Sequence, residues 1–177
     1  MIRHSDISLV PAMAEQAPIV ANLLELYAHD FSQFHNLEIG EDGRFGYPSL
    51  ALYWSDPDRH PFLIRMDDKL AGLALVKNGS GVLDNLGNSS DGPVWDMAEF
   101  FILRGFRRRG IGTQAAHEVW RRFPGAWEVR VMKTNVSARL FWAEAISKFV
   151  GQLVDPADFE NCGEHWSVFS FESKNHA

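Results

Sequence analysis

The stretch that decides the fold is Ala98-Glu99-Phe100-Phe101-Ile102-Leu103, followed by Arg104-Gly105-Phe106 and then Arg107-Arg108-Arg109-Gly110-Ile111-Gly112. The first six residues are nearly all apolar, as expected of a central strand covered on both faces. Beyond the glycines, Ala115, Ala116, Val119, Trp120 and Phe123 share one side of a helix from about Gly112 to Phe123, stopped by Pro124-Gly125. A strand, a glycine-containing loop and a helix start make an anion site. The first N–H groups of the helix lack intrahelical partners and carry partial positive charge. Glycines let the backbone approach a phosphate closely, and arginines add charge-assisted hydrogen bonds.

Two nucleotide loops are excluded. The Walker loop ends in Gly-Lys-Ser/Thr, but Gly112 is followed by Thr113 with no lysine. The dinucleotide fingerprint Gly-x-Gly-x-x-Gly fails at Ala115, and it belongs in a first βαβ unit, not behind a hairpin.

Outward from this stretch, the pattern reads as alternating strands and helices. Ile7 to Val10 is a short strand. Pro18 to Phe34 is a helix whose Val20, Leu23, Leu24, Tyr27, Phe31 and Phe34 make one apolar face. A short helix is expected at Leu50 to Trp54. Pro61 to Met66 and Leu70 to Lys77 form a hairpin around Asp67-Asp68-Lys69, and Asn78 to Gly92 is a Gly/Ser/Asn/Asp-rich loop. After the deciding stretch come a strand at Trp127 to Met132, a helix at Asn135 to Phe149, and strands at Val154 to Phe159 and Trp166 to Phe171. No repeat or linker interrupts residues 1–177, so one α/β (α+β) domain is expected, with a mixed sheet flanked by helices.

Charge is uneven. Residues 101–133 hold eight of the 17 Lys and Arg but only two of the 23 Asp and Glu. A local basic segment on an acidic body suits a small polyanion. With net charge −6 it argues against nucleic acid, which favours a broad basic face. The acidic remainder suits a cationic second substrate. A lone Cys162 and the lack of Cys/His clusters predict neither disulfide nor metal and fit a reducing cytoplasm. Neither a secretory leader nor a membrane span is expected, since no 18 consecutive residues are apolar.

These residues resemble the GNAT superfamily of acetyl-CoA-dependent N-acetyltransferases. Its loop signature is Arg/Gln-x-x-Gly-x-Gly/Ala, matched by Arg107, Gly110 and Gly112; its next helix reads Asn-x-x-Ala-x-x-Phe/Leu-Tyr, matched by Asn135, Ala138, Phe141 and, with tryptophan in place of tyrosine, Trp142. Arg104 stands where proline is usual, and Arg108 where glycine is frequent. A closer likeness is to bacterial "predicted acetyltransferases" with Glu-Phe-Phe before the loop and Phe-Trp in the last helix. The resemblance implies a twisted mixed sheet of about six or seven strands, about four helices, and central strands that splay to admit acetyl-CoA. It further implies that the amides of Arg108, Arg109, Gly110, Ile111, Gly112 and Thr113 hold the pyrophosphate, that the backbone at Phe100, Phe101 and Ile102 pairs with pantetheine, and that Asn135 hydrogen-bonds the cofactor arm. Ala138, Phe141 and Trp142 would flank that arm, and Tyr27, His29, Asp30 and Phe31 would line the acceptor pocket. The C-terminal strands of relatives often pair, which admits a homodimer.

The implied chemistry is attack of a primary amine, on a small molecule or peptide, at the thioester. The amine must first lose a proton to a carboxylate or to water held by one. Asp96 shares strand parity with Ala98, Phe100 and Ile102; Glu99 has the opposite parity but stands inside an apolar run where an unpaired carboxylate is costly; Glu128 lies on the next strand. All three are candidates. Indole has no useful acidity, so Trp142 is not expected to protonate the leaving thiolate. An acyl-CoA-binding module with little transferase activity is the alternative reading.

Overall fold

A computed structural model of the chain describes residues 6–79 and 94–174. The expected loop Asn78 to Gly92 lies outside the described residues, apart from Asn78 and Gly79 at the end of a strand. The described elements are β1 (Ile7–Pro11), α1 (Ala17–Phe31), β2 (Arg59–Met66), β3 (Lys69–Gly79), β4 (Val94–Ile102), α2 (Ile111–Arg122), β5 (Gly125–Met132), α3 (Val136–Val150), β6 (Ala157–Asn161) and β7 (Glu164–Ser173). The seven strands form one mixed sheet in the order β1-β2-β3-β4-β5-β7-β6. Three α-helices are described where about four were expected. Leu50–Trp54 forms a 3-10 segment instead, five residues being too few to nucleate an α-helix readily.

Contacts gather the chain into two compact units, divided within β3, within β4 and at the start of α2. The first holds the described residues up to Leu75 together with Glu99–Ile111; the second holds those of Val76–Ala98 and from Gly112 onward.

In the first unit, β1 and β2 pair antiparallel from Ile7↔Met66 to Pro11↔Phe62. The turn from β2 to β3 takes Asp67 and Asp68 through positive φ of 47° and 63°, which matches strand twist in a two-residue hairpin. Proline in the first turn starts α1, and Val20, Leu23 and Leu24 bury its core stripe. Leu63, Ile64, Ala71, Leu73, Ala74 and Leu75 have no exposed surface, as fits strands covered on both faces. β4 ends hard against β3: Leu103 N–H donates to Ala71 O at 2.8 Å, and a methyl group built on Gly72 would collide with the Phe101 carbonyl oxygen.

In the second unit, β5 and β7 pair antiparallel along their length, from Gly125↔Ser173 to Met132↔Trp166. β4 and β5 run parallel, in register at Trp95↔Trp127 and Asp96↔Glu128. Trp120, fully buried on α2, meets Phe171 edge-on at 4.9 Å, Phe149 at 5.1 Å and Trp142 at 6.1 Å. Ser173 Oγ donates to Trp120 O at 2.6 Å, tying the end of β7 to this helix.

Because the obstruction at Gly72 is backbone, Gly72→Ala should destabilise the fold by about 1–3 kcal/mol, read as a lower urea midpoint at constant m. An unchanged midpoint would contradict the close approach of the two strands.

Candidate functional site

Glu99 is the focus of the first unit. Tyr47 Oη donates to Glu99 Oε1 at 3.0 Å, and the Tyr27 hydroxyl also hydrogen-bonds Glu99. Tyr53, 2% exposed, lies beside Tyr47 and helps to raise its phenol. Of the chain's three tyrosines, Tyr27 and Tyr47 meet this carboxylate and Tyr53 lies beside Tyr47. Burial, and after it the Glu99 charge, pushes the Tyr27 and Tyr47 phenols well above their ordinary value. Both therefore remain protonated and can act as donors. Glu99 shares strand parity with Phe101, whose ring lies 5.8 Å from that of Tyr27, so both face α1.

The segment carrying Tyr47 is fixed by another carboxylate. Glu25 Oε2 accepts Phe45 N–H at 2.8 Å and Glu25 Oε1 accepts Gly46 N–H at 2.9 Å. Beside this segment is a cavity of about 410 Å³, with Glu25, Asp42, Arg44, Phe45, Tyr47 and Leu50 in its wall. Sequence reading missed Tyr47 because the 40–47 stretch has no periodicity. The available signal was chemical: a carboxylate in an apolar strand needs donors, and tyrosines were scarce.

The four α1 candidates do different things. Tyr27 binds Glu99, and Phe31 stacks on Tyr27 at 5.7 Å. His29 is exposed, and its carbonyl accepts Ser32 Oγ. Asp30 is held by arginines: its Oδ1 accepts Arg104 Nη2 at 2.5 Å and Nε at 3.1 Å, and its Oδ2 accepts Arg107 Nη2 at 2.6 Å. Burial opposes ionisation of Asp30, but the two arginines together outweigh it and hold the carboxyl below its ordinary 3.8. The stability from this pairing is present above the unfolded-state value and is lost as the pH falls through the lowered one.

The loop divides its arginines. Arg107 turns back into the protein, donating from Nε to Ile102 O at 2.7 Å with its guanidinium 5.6 Å over the Phe101 ring. Arg108 and Arg109 are exposed and make no ion pair among the described residues. Arg108 and Gly110 take positive φ, 61° and 75°, immediately before Ile111, Gly112 and Thr113 open α2. Left-handed residues alternating with ordinary ones turn successive N–H groups toward one side, a concavity suited to an anion. Immediately after β4, Leu103 donates toward β3, so by alternation the peptide groups of Phe100 and Ile102 point to the other edge.

The remaining candidates lie in the second unit. Asp96 is neutralised: its Oδ2 accepts Arg130 Nη2 at 2.6 Å and lies 3.4 Å from Lys77 Nζ. Glu128, opposite Asp96 in register, is 5% exposed. Asn135 caps α3, its Oδ1 accepting Ala138 N–H at 3.1 Å and Ser137 Oγ at 3.2 Å. Its amide NH₂ has no partner among the described residues. Trp142 is 7% exposed, with Phe141 edge-on at 4.8 Å and Trp120 at 6.1 Å. Among the described residues no three His, Cys, Asp or Glu side chains converge as metal ligands, and no helix is long and apolar enough to cross a membrane.

The profile of the Acetyltransferase (GNAT) family matches residues 20–146. No curated protein matches the chain at a significant level. Among solved structures, an acetyltransferase from Thermus thermophilus is similar at 17% identity and TM-score 0.59, over 94% of this chain and 96% of that one. Arabidopsis thaliana NAA60, solved with acetyl-CoA, is similar at 14% identity and TM-score 0.63, over 94% and 99%. Spermidine N-acetyltransferase from Vibrio cholerae, solved with CoA and spermine, is similar at 11% identity and TM-score 0.61, over 94% and 95%. At these identities the likeness establishes the fold.

A double-mutant cycle of Tyr47→Phe and Glu99→Gln should give a coupling of about 1–3 kcal/mol in urea unfolding, as for a hydrogen bond to a charged acceptor. Additive effects would mean that Tyr47 does not serve Glu99.

Proposed function

The chain belongs to the GNAT acetyltransferase family, and on that premise we propose that it transfers acetyl from acetyl-CoA to a primary amine of a small molecule or peptide, by direct attack in a ternary complex with Glu99 as the proton acceptor. The observation that carries this reading is the hydrogen bonding of Glu99 by Tyr47 and Tyr27.

The residues fit the co-substrate. A diphosphate suits the concavity of Arg108 to Thr113, where positive-φ backbone meets a helix start and two arginines stand without ion pairs among the described residues. With the Ile102 carbonyl taken by Arg107, the peptide group of Phe100 and the N–H of Ile102 suit an amide-bearing arm, and one of these N–H groups suits the oxyanion of the tetrahedral intermediate. By the family pattern Asn135 is expected to donate its NH₂ to the cofactor, which is compatible with its cap role.

An alkylammonium has pKa about 10, so the attacking nitrogen must lose a proton. Glu99 accepts it while the two phenols, which stay protonated, hold the carboxylate in place. Asp96 is less suited, because Arg130 and Lys77 already neutralise it. Glu128 is kept as third choice. The cavity beside Tyr47 has Glu25 and Asp42 against the single Arg44 in its wall, a net negative charge that suits an incoming cation. Similarity to a spermidine N-acetyltransferase supports an amine acceptor.

Thiol release from acetyl-CoA with polyamines, amino acids, aminoglycosides and peptide N-termini tests the transfer. We expect release with at least one class; saturable acetyl-CoA binding without release across the panel would favour the binding-module reading. With the productive amine, Glu99→Gln should lower kcat by about 10²–10⁴-fold and leave acetyl-CoA affinity intact, the range expected for loss of a general base. Full activity in that variant would remove Glu99 from the role. Gly110→Glu should abolish acetyl-CoA binding in calorimetry, since it strains a φ of 75° and sets a carboxylate against the diphosphate.

A further inference from the structure

We infer that Asp30, on the last turn of α1, is a positioning residue that sets the shape of the diphosphate loop. This rests on the acetyl-CoA reading above. The loop begins with a 3-10 turn, Arg104–Phe106, and its first residue, Arg104, and the residue that caps it, Arg107, are both bound by the one Asp30 carboxylate. Arg107 is further fixed by Ile102 O and by the Phe101 ring. The arginine that opens the motif, though 42% exposed, is thus engaged by the protein itself. It holds the chain that leads to the anion instead of extending to it.

The consequence is geometric. One residue beyond this anchor, Arg108 adopts φ 61°, a conformation that a non-glycine residue takes at a cost, and Gly110 adopts φ 75°. Such a turn persists where its surroundings over-determine it. Asp30 supplies that constraint from 74 and 77 residues away in sequence. Tyr27, one turn earlier on the same face of α1, binds Glu99. The end of α1 therefore fixes the diphosphate loop and the proton acceptor together.

The sign of a substitution separates positioning from charge alone. Asp30 is a negative group beside a site for a polyanion. If it acted only through its charge, Asp30→Asn would tighten CoA binding. As a positioning residue, its loss should weaken CoA binding about tenfold or more, because small displacements of binding groups are costly. The test is calorimetric titration of the full chain with CoA, comparing wild type, Asp30→Asn and Asp30→Glu, with each variant's thermal midpoint recorded. The expected result is weaker binding by Asp30→Asn, partial recovery in Asp30→Glu, and, with an amine substrate, a raised KM for acetyl-CoA at little-changed kcat. Asp30→Asn binding CoA as well as wild type, or better, overturns the role of Asp30 while the acetyl-CoA reading stands. If Asp30→Asn does not fold, Asp30→Glu, which keeps the charge but moves the carboxylate, decides: wild-type affinity overturns the proposal and weaker affinity supports it. Failure of wild type to bind CoA overturns the functional reading itself, and the role of Asp30 with it.

Discussion

A carboxylate in the middle of an apolar strand has to be satisfied, and the first unit is organised around doing so for Glu99. Leaving it without donors would cost several kcal/mol. Its donors come from two distant places, Tyr27 on α1 and Tyr47 on the segment after α1. That segment has little secondary structure of its own, so it must be held by other means. Glu25 does this by accepting the N–H groups of Phe45 and Gly46. One helix thus supplies a donor to Glu99 directly and a second through the loop it anchors.

The same helix settles the arginines. Four cations in six residues, Arg104 and Arg107 to Arg109, would repel one another if all faced the same way. All four are exposed, but Asp30 pairs with two of them, which leaves the charge of the other two for a ligand. In the family pattern a proline, with fixed φ, often stands where Arg104 is. Here an ion pair stiffens the turn in place of a ring, which makes the loop depend on a contact distant in sequence.

What was legible in the sequence is what has a period or a local signature. Val20, Leu23 and Leu24 gave α1, the apolar run gave β4, and the glycines placed the loop before α2. Strand parity also put Glu99 on the same side as Phe101 and opposite Asp96. Parity cannot say which side meets α1, because that is a tertiary fact. The Tyr47–Glu99 bond joins residues 52 apart and the Arg104–Asp30 pair residues 74 apart, and neither leaves a spacing to read. For that reason the sequence shows neither the engagement of Asp30 by two arginines nor the role of Tyr47.

Trp142 bears on how the reaction ends. Its position carries a tyrosine in the family pattern, but here the indole is buried in an aromatic cluster with Trp120 and Phe141. A phenol there would bring a hydroxyl needing a partner into a cluster that already holds one, since Trp120 Nε1 is buried without a hydrogen bond among the described residues. Tryptophan at this place is accounted for by packing. On the proposed chemistry, the leaving thiolate then takes its proton from water or from the group that received one, Glu99. A thiol of pKa about 8.5 is a good enough leaving group for either route. Glu99 would then act first as base and afterwards as acid, which leaves the tyrosines to hold it steady between the two states.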